Sequence, residues 1–174
     1  DGTQPYFTGL PAWGVCLSHF SSGVLDFGAF YNPYVKEIYW CWKADSTYHR
    51  SSNLKEYLSP DSPRDWTILV NSDFHRSFDS DFPGKIRSFG CTAAHLAYVA
   101  SGSVTGCLIN NVSLWDIAAG LMTLNRDTTC IRYLDGSEIG YSDYACGRNM
   151  RPALVAPIKI WEDIAKTIHY PKGG

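Results

Sequence analysis

Val104-Thr105-Gly106-Cys107-Leu108-Ile109, a polar break at Asn110-Asn111, and then Ser113-Leu114-Trp115-Asp116-Ile117-Ala118-Ala119-Gly120-Leu121-Met122-Thr123-Leu124 form the stretch that decides the fold. The first run reads as a strand, and Leu114 to Leu124 reads as a helix with apolar residues at helical spacing. A strand feeding a helix, and that pair repeated along a chain, predicts an α/β architecture.

The neighbouring segments repeat the pattern. Thr67 to Asn71 and Lys85 to Phe89 read as strands. Cys91 to Ser101 reads as a helix, with Ala93, Ala94, Ala97 and Tyr98 at helical spacing and Gly102 as its stop. Downstream, Thr129 to Leu134 and Ala153 to Ala156 read as strands, with Leu134-Asp135-Gly136 turning out of the first. Pro157 is expected to open a last helix reaching about His169, since proline suits the first helical position. Upstream, Ala12 to Ser18, Val24 to Tyr31 and Glu37 to Lys43 are strand-like runs separated by Ser21-Ser22-Gly23 and Asn32-Pro33, which suits antiparallel neighbours. Residues 44–65 are polar and carry Pro60 and Pro63, so they read as loop with room for one short helical turn. The expectation is one domain over residues 1–174, a layered α/β sandwich with a mixed β-sheet covered by helices.

Composition excludes several classes. The chain has 174 residues, 45% hydrophobic and 18% charged, which is globular usage. No apolar run approaches the ~20 residues of a membrane span. A net charge of −2 with dispersed basic residues gives no footprint for nucleic acid. Six cysteines (Cys16, Cys41, Cys91, Cys107, Cys130, Cys146) lack Cys-x-x-Cys spacing and sit mostly in apolar runs, so free thiols in a reducing cytoplasm are expected. The first residue is Asp1 rather than Met, which suits a processed or trimmed chain or a fragment of a longer protein.

Three segments could carry chemistry. Asp116, in the first turn of its helix, can ligate a hard cation while the helix end favours a phosphate. Ser113 three residues before it makes a capping box, and from this segment alone the cap is the favoured reading. In Asp1-Gly2-Thr3 an Asp could hold a metal, the Gly amide could approach a phosphate oxygen, and the Thr hydroxyl could orient a water; a plain turn explains the same residues. Arg87-Ser88-Phe89-Gly90-Cys91-Thr92-Ala93-Ala94 is a strand–glycine–helix junction whose amides could take an anion.

The order of these pieces says more than any one of them. Asp-Gly-Thr, then Leu10-Pro11 before a strand, then Arg-Ser-x-Gly opening an Ala-rich helix, then Trp115-Asp116-x-Ala118-Ala119-Gly120 resembles the inositol monophosphatase family. Leu134-Asp135-Gly136 and Leu154-Val155-Ala156 continue the series. The resemblance implies the C-terminal part of that fold and magnesium-dependent hydrolysis of a small phosphate monoester by metal-activated water. It implies that Asp1 and Asp116 are magnesium ligands and that Thr3 and Asp116 are catalytic. Gly2, Thr3, Gly90, Cys91, Thr92 and Asp116 would contact the substrate. The rest of the metal set would lie in an absent N-terminal part, so this chain alone is expected to be inactive.

Two positions depart from the family's pattern. Ile109 stands where an acidic residue often contacts inositol hydroxyls, which leaves a nucleotide 3′-phosphate or a sugar phosphate as plausible as an inositol phosphate. Arg126-Asp127-Thr128-Thr129 replaces a usual Glu-Ala-Gly-Gly and requires a different turn, so a non-catalytic relative that keeps the scaffold as a regulatory or assembly protein is the alternative. Among the remaining candidates, His95 reads as a packed or surface residue and Ser72 and His75 as minor pocket candidates. Tyr39-Trp40-Cys41-Trp42 reads as ordinary core packing, with a homodimer interface in second place.

Overall fold

The computed structural model describes residues 1–43, 49, 50, 62–139, 143 and 151–171. Its elements are α1 (Thr3–Phe7), β1 (Val15–Ser21), β2 (Val24–Asn32), β3 (Glu37–Trp42), β4 (His49–Arg50), β5 (Thr67–Leu69), α2 (Phe74–Ser77), β6 (Asp79–Ser80), β7 (Lys85–Arg87), α3 (Thr92–Ala100), β8 (Gly106–Ile109), α4 (Leu114–Thr123), β9 (Thr129–Tyr133), β10 (Ala153–Pro157), α5 (Trp161–Ala165) and β11 (Ile168–His169).

β1 to β4 form an antiparallel sheet in sequence order. Ser21 pairs with Val24, so Ser22 and Gly23 make a two-residue hairpin loop, both with positive φ as the tight turn demands. The first strand begins at Val15, later than the expected Ala12. Asp1 and Gly14 exchange backbone hydrogen bonds of 3.0 and 3.1 Å, so the residues before Val15 hold the start of the chain instead of a strand partner.

The second sheet runs β7-β5-β8-β10-β9. β5 is parallel to β7 and β8, and β10 is antiparallel to β8 and β9, which makes the mixed sheet that was expected. α4 lies on β1, β2 and β3, and α3 packs between α4 and β8. The layers are therefore sheet, helices, sheet, and α5 against β10.

Alternation along β8 and β10 explains this order. Cys107, Ile109, Ala153 and Val155 face α3 and α4 in one core with Leu96, Ile117 and Leu121. Leu108, Leu154 and Ala156 face the other way, into a core with Ile68, Trp161 and Ile164. Strands covered on both faces read as continuous apolar runs, as these do. Each fully buried Leu or Ile stabilises by about 1.5–3 kcal/mol. In the first sheet, Phe30 and Tyr39 pack on Ala93, Ala94 and Ala97 of α3, which explains why that helix is rich in alanine.

Several expectations are corrected. The last helix is not continuous from Pro157 to His169. Pro157 ends β10, a 3-10 turn spans Ile158–Ile160, α5 is short, and β11 pairs with β6. Trp161 Nε1–H donates to the Leu154 carbonyl at 2.9 Å and docks α5, after which Ile168 and His169 find partners in Ser80 and Asp79. β7 stops at Arg87 because the Phe89 N–H turns away to His95 Nε2. α1 and α2 lie where no helix was expected. Within residues 44–65, β4 was not expected, whereas the 3-10 turn at Pro63–Asp65 is a short helical turn of the kind expected; residues 44–48 and 51–61 lie outside the described residues.

Cys16, Cys41, Cys91, Cys107 and Cys130 are free thiols, and Cys146 lies outside the described residues. In the run Tyr39 to Trp42, Tyr39 and Cys41 are core residues and Trp42 is exposed. No helix among the described residues is long and apolar enough to cross a membrane.

Candidate functional site

Asp1 is held from several sides. Its backbone nitrogen donates to the Gly14 carbonyl, and its Oδ1 accepts the Gly2 N–H at 2.7 Å. Oδ2 accepts the Ala93 N–H at 2.7 Å and the Cys91 thiol at 3.4 Å. Cys91, at the N-cap of α3, offers that helix no side-chain cap. The Asp1 carboxylate supplies it from outside, at the end where an anion is favoured.

Gly2 turns the chain into α1 with φ at +88°. A Cβ there would fall 2.7 Å from the Ala12 carbonyl oxygen and 2.8 Å from Trp13 Cα, so both the backbone conformation and the space call for glycine. Thr3, the next residue, is exposed at the start of α1.

Asp116 sits in the first turn of α4. Its Oδ2 accepts the Ser113 N–H at 3.1 Å while its own N–H donates to the Ser113 carbonyl at 3.0 Å. The capping box read from the sequence is therefore formed. The Cys16 thiol, on β1, is half-buried. Burial pushes it up, and the Asp116 charge acts in the same direction. Burial also pushes Cys91 up to about 11, against the pull of the Ala94 and Ala93 amides. Both thiols stay protonated at neutral pH, which makes them poor nucleophiles and poor metal ligands.

Gly90, Cys91 and Thr92 share the wall of a cavity of about 330 Å3 with Gln4, Asn71 and Ser72. His95 also borders it and is only 1% exposed. The sequence signalled Ser72 but missed Asn71, and it read His95 as a bland residue. His75 is exposed on α2 and is not on this wall. Burial lowers the His95 imidazole to about 4, so the ring is neutral near pH 7. Among the described residues, no three His, Cys, Asp or Glu side chains gather to hold a metal.

A larger cavity of about 640 Å3, between the first sheet and the end of α4, contains none of the expected site residues. Arg126 and Asp127 border it. The turn there forms without glycine, since Asn125 Oδ1 accepts the Asp127 N–H and the Asn125 carbonyl accepts the Thr129 N–H, each at 2.9 Å.

The sequence pattern of the inositol monophosphatase family matches residues 1–143. The chain belongs to the inositol monophosphatase family. It is 29% identical over 160 residues to a fructose-1,6-bisphosphatase/inositol-1-monophosphatase of Aquifex aeolicus, covering 84% of this chain and 59% of that protein. It is 28% identical over 134 residues to the Nus factor SuhB of Pasteurella multocida, covering 69% of this chain and 49% of that protein. In fold it is similar to an inositol monophosphatase from Anabaena (Nostoc) sp. PCC 7120, with a TM-score of 0.74 at 21% identity over 95% of this chain and 67% of the other. The family member described here thus spans under three-fifths of the length of these curated relatives.

Proposed function

We propose that this chain is the larger, C-terminal part of a magnesium-dependent phosphatase that hydrolyses a small phosphate monoester in the complete protein. The observation that carries the reading is the Asp1 carboxylate anchored at the amino end of α3, beside Cys91 on the cavity wall. Similarity to a bisphosphatase and monophosphatase of Aquifex aeolicus supports a polyol or sugar phosphate as substrate.

The residues fit magnesium in kind. Asp1 and Asp116 offer hard oxygen donors, the neighbouring thiols are protonated, and magnesium characteristically takes only one or two carboxylates with water and phosphate oxygens. Bound there, the ion would supply charge neutralisation and an acidified water. The chain's own contribution is positional. Asp1 and Asp116 would hold the ion through their carboxylate oxygens, Gly2 (whose N–H is bonded to Asp1 Oδ1) and the Thr3 hydroxyl would border the phosphoryl group, and Gly90, Cys91 and Thr92 would line the leaving-group side. This chain alone is expected to bind magnesium weakly and turn over poorly.

The test is phosphate release by the full-length protein from glycerol 2-phosphate, inositol phosphates and nucleotide 3′-phosphates, with and without magnesium. The expected result is magnesium-dependent turnover that Asp116→Asn abolishes. Turnover that survives Asp116→Asn removes the site assignment. A second reading, a non-catalytic relative with a regulatory or assembly role, is favoured by the similarity to the Nus factor SuhB; no turnover on any monoester would select it.

A further inference from the structure

A cavity of about 730 Å3 at the carboxyl end of α3 contains none of the residues assigned above to magnesium or phosphate. It falls within the size range of small-molecule sites. Its walls are residues 99–102 at the end of α3, residues 104 and 105 leading into β8, the loop after α4 and the turn after β10. Asp1 and Cys91 lie at the amino end of the same helix, so this is a separate place on the molecule.

Backbone pairing holds the walls together. The Ile158 N–H donates to the Thr128 carbonyl at 2.9 Å and ties the turn after β10 to the loop after α4. The Thr105 N–H donates to the Thr67 carbonyl at 2.8 Å, and the Thr105 hydroxyl oxygen accepts the Thr67 N–H at 3.1 Å. Asp127, Thr128 and Thr129 belong to the run that replaces the usual Glu-Ala-Gly-Gly. Three lining side chains therefore stand where that pattern puts one methyl group and two hydrogens.

The lining has three kinds of chemistry. Val99, Val104 and Ile158 supply apolar surface. Asp127 and Lys159 border the cavity with opposite charges, and neither makes an ion pair among the described residues. The Thr129 hydroxyl, on a residue only 9% exposed, has no hydrogen-bond partner among them either. A ligand that covers this surface must answer each part, because a charge or hydroxyl left dry is costly. A simple anion answers Lys159 and opposes Asp127, and a simple cation does the reverse. An uncharged apolar molecule answers neither. A dipeptide with apolar side chains answers all three: its ammonium and carboxylate sit at opposite ends, and its amide lies between them within an apolar body.

We propose that this cavity binds a short, zwitterionic apolar peptide, with Asp127 taking the ammonium and Lys159 the carboxylate. The site is independent of the phosphatase reading and adds a second ligand to the molecule.

The experiment titrates 15N-labelled full-length protein with Leu-Leu, N-acetyl-Leu-Leu and Leu-Leu amide, and follows the backbone amides of Thr105, Thr128, Thr129 and Lys159. Leu-Leu is expected to move these resonances with a dissociation constant about 10- to 100-fold below that of either capped peptide, since each capped form loses one charge-assisted contact. Asp127→Asn should weaken Leu-Leu about 10-fold and leave N-acetyl-Leu-Leu unchanged. Lys159→Gln should weaken Leu-Leu similarly and leave Leu-Leu amide unchanged. Both positions are exposed, so neither exchange disturbs the core. Equal binding of the three peptides overturns the proposal, because apolar contact alone would then explain it. Silence of the four amides with Leu-Leu overturns it too, as do shifts confined to the wall of Gly90, Cys91 and Thr92. No turnover is needed, so failure of the phosphatase reading leaves the result standing.

Discussion

The carboxylate of Asp1 caps α3 across 92 positions of sequence, with Oδ2 2.7 Å from the Ala93 amide nitrogen. A charged acceptor at a helix N-terminus satisfies one of the orphan amides and interacts with the helix dipole. Asp1→Ala should therefore destabilise the fold by about 1–2 kcal/mol, the usual value of an N-cap. Urea unfolding measures the loss, and the Ala93 amide should exchange with solvent faster. Unchanged stability with unchanged exchange would show that the contact contributes nothing.

Gly2→Ala should cost more. Its φ of +88° is unfavourable for any L side chain by about 1–2 kcal/mol, and the added Cβ would meet the Ala12 carbonyl oxygen and Trp13 Cα. A melting temperature within a degree of the parent would contradict this.

At Gly120 two effects compete. Alanine gains about 1 kcal/mol of helix propensity over glycine. Its Cβ, however, would lie 2.5 Å from Leu96 Cβ and 2.7 Å from Leu96 Cδ1, where α4 crosses α3. Overpacking costs about 1–3 kcal/mol, so Gly120→Ala should destabilise on balance. Thermal unfolding decides the sign, and a stabilised variant would mean that the two helices separate easily.

His95 makes stability depend on pH. The folded protein holds its imidazole near 4, below the ordinary 6.5 of an unfolded chain, because burial disfavours the charged form. Below 6.5 the unfolded state binds the extra proton and the folded state does not, so stability falls as pH drops from 6.5 to about 4 and is level above that window. The loss is on the order of 3 kcal/mol. Denaturant titrations at pH 7, 5.5 and 4 should show it, and His95→Asn should remove this component.

Sequence periodicity foretold α3, α4 and the strands beside them because each buries a regular apolar face. It failed where a partner distant in the chain decides the outcome. Ile168 and His169 look helical beside Trp161 and Ile164, yet they pair with Ser80 and Asp79, which no local pattern announces. Phe89 looks like the end of a strand, but its amide is claimed by His95. The site divides in the same way. The order of Asp1, Gly90 and Asp116 was legible as a family series. That Asn71 and His95 share a cavity with Gly90, Cys91 and Thr92 was not, because each alone is an ordinary residue and the chain brings them together only through the fold. Asp135, part of the same series, proves to be a turn residue held by Ser137 and Arg151.

β8 and β10 have no face of their own toward water; Cys107 and Val155 belong to one core while Leu108 and Leu154 belong to the other. Neither core can loosen without exposing the back of a wall that the other depends on. The α3 alanines tie the first sheet into the same arrangement through Phe30 and Tyr39. Melting should accordingly be all-or-none, with a single calorimetric transition for the whole unit and no range of temperature in which one layer survives another.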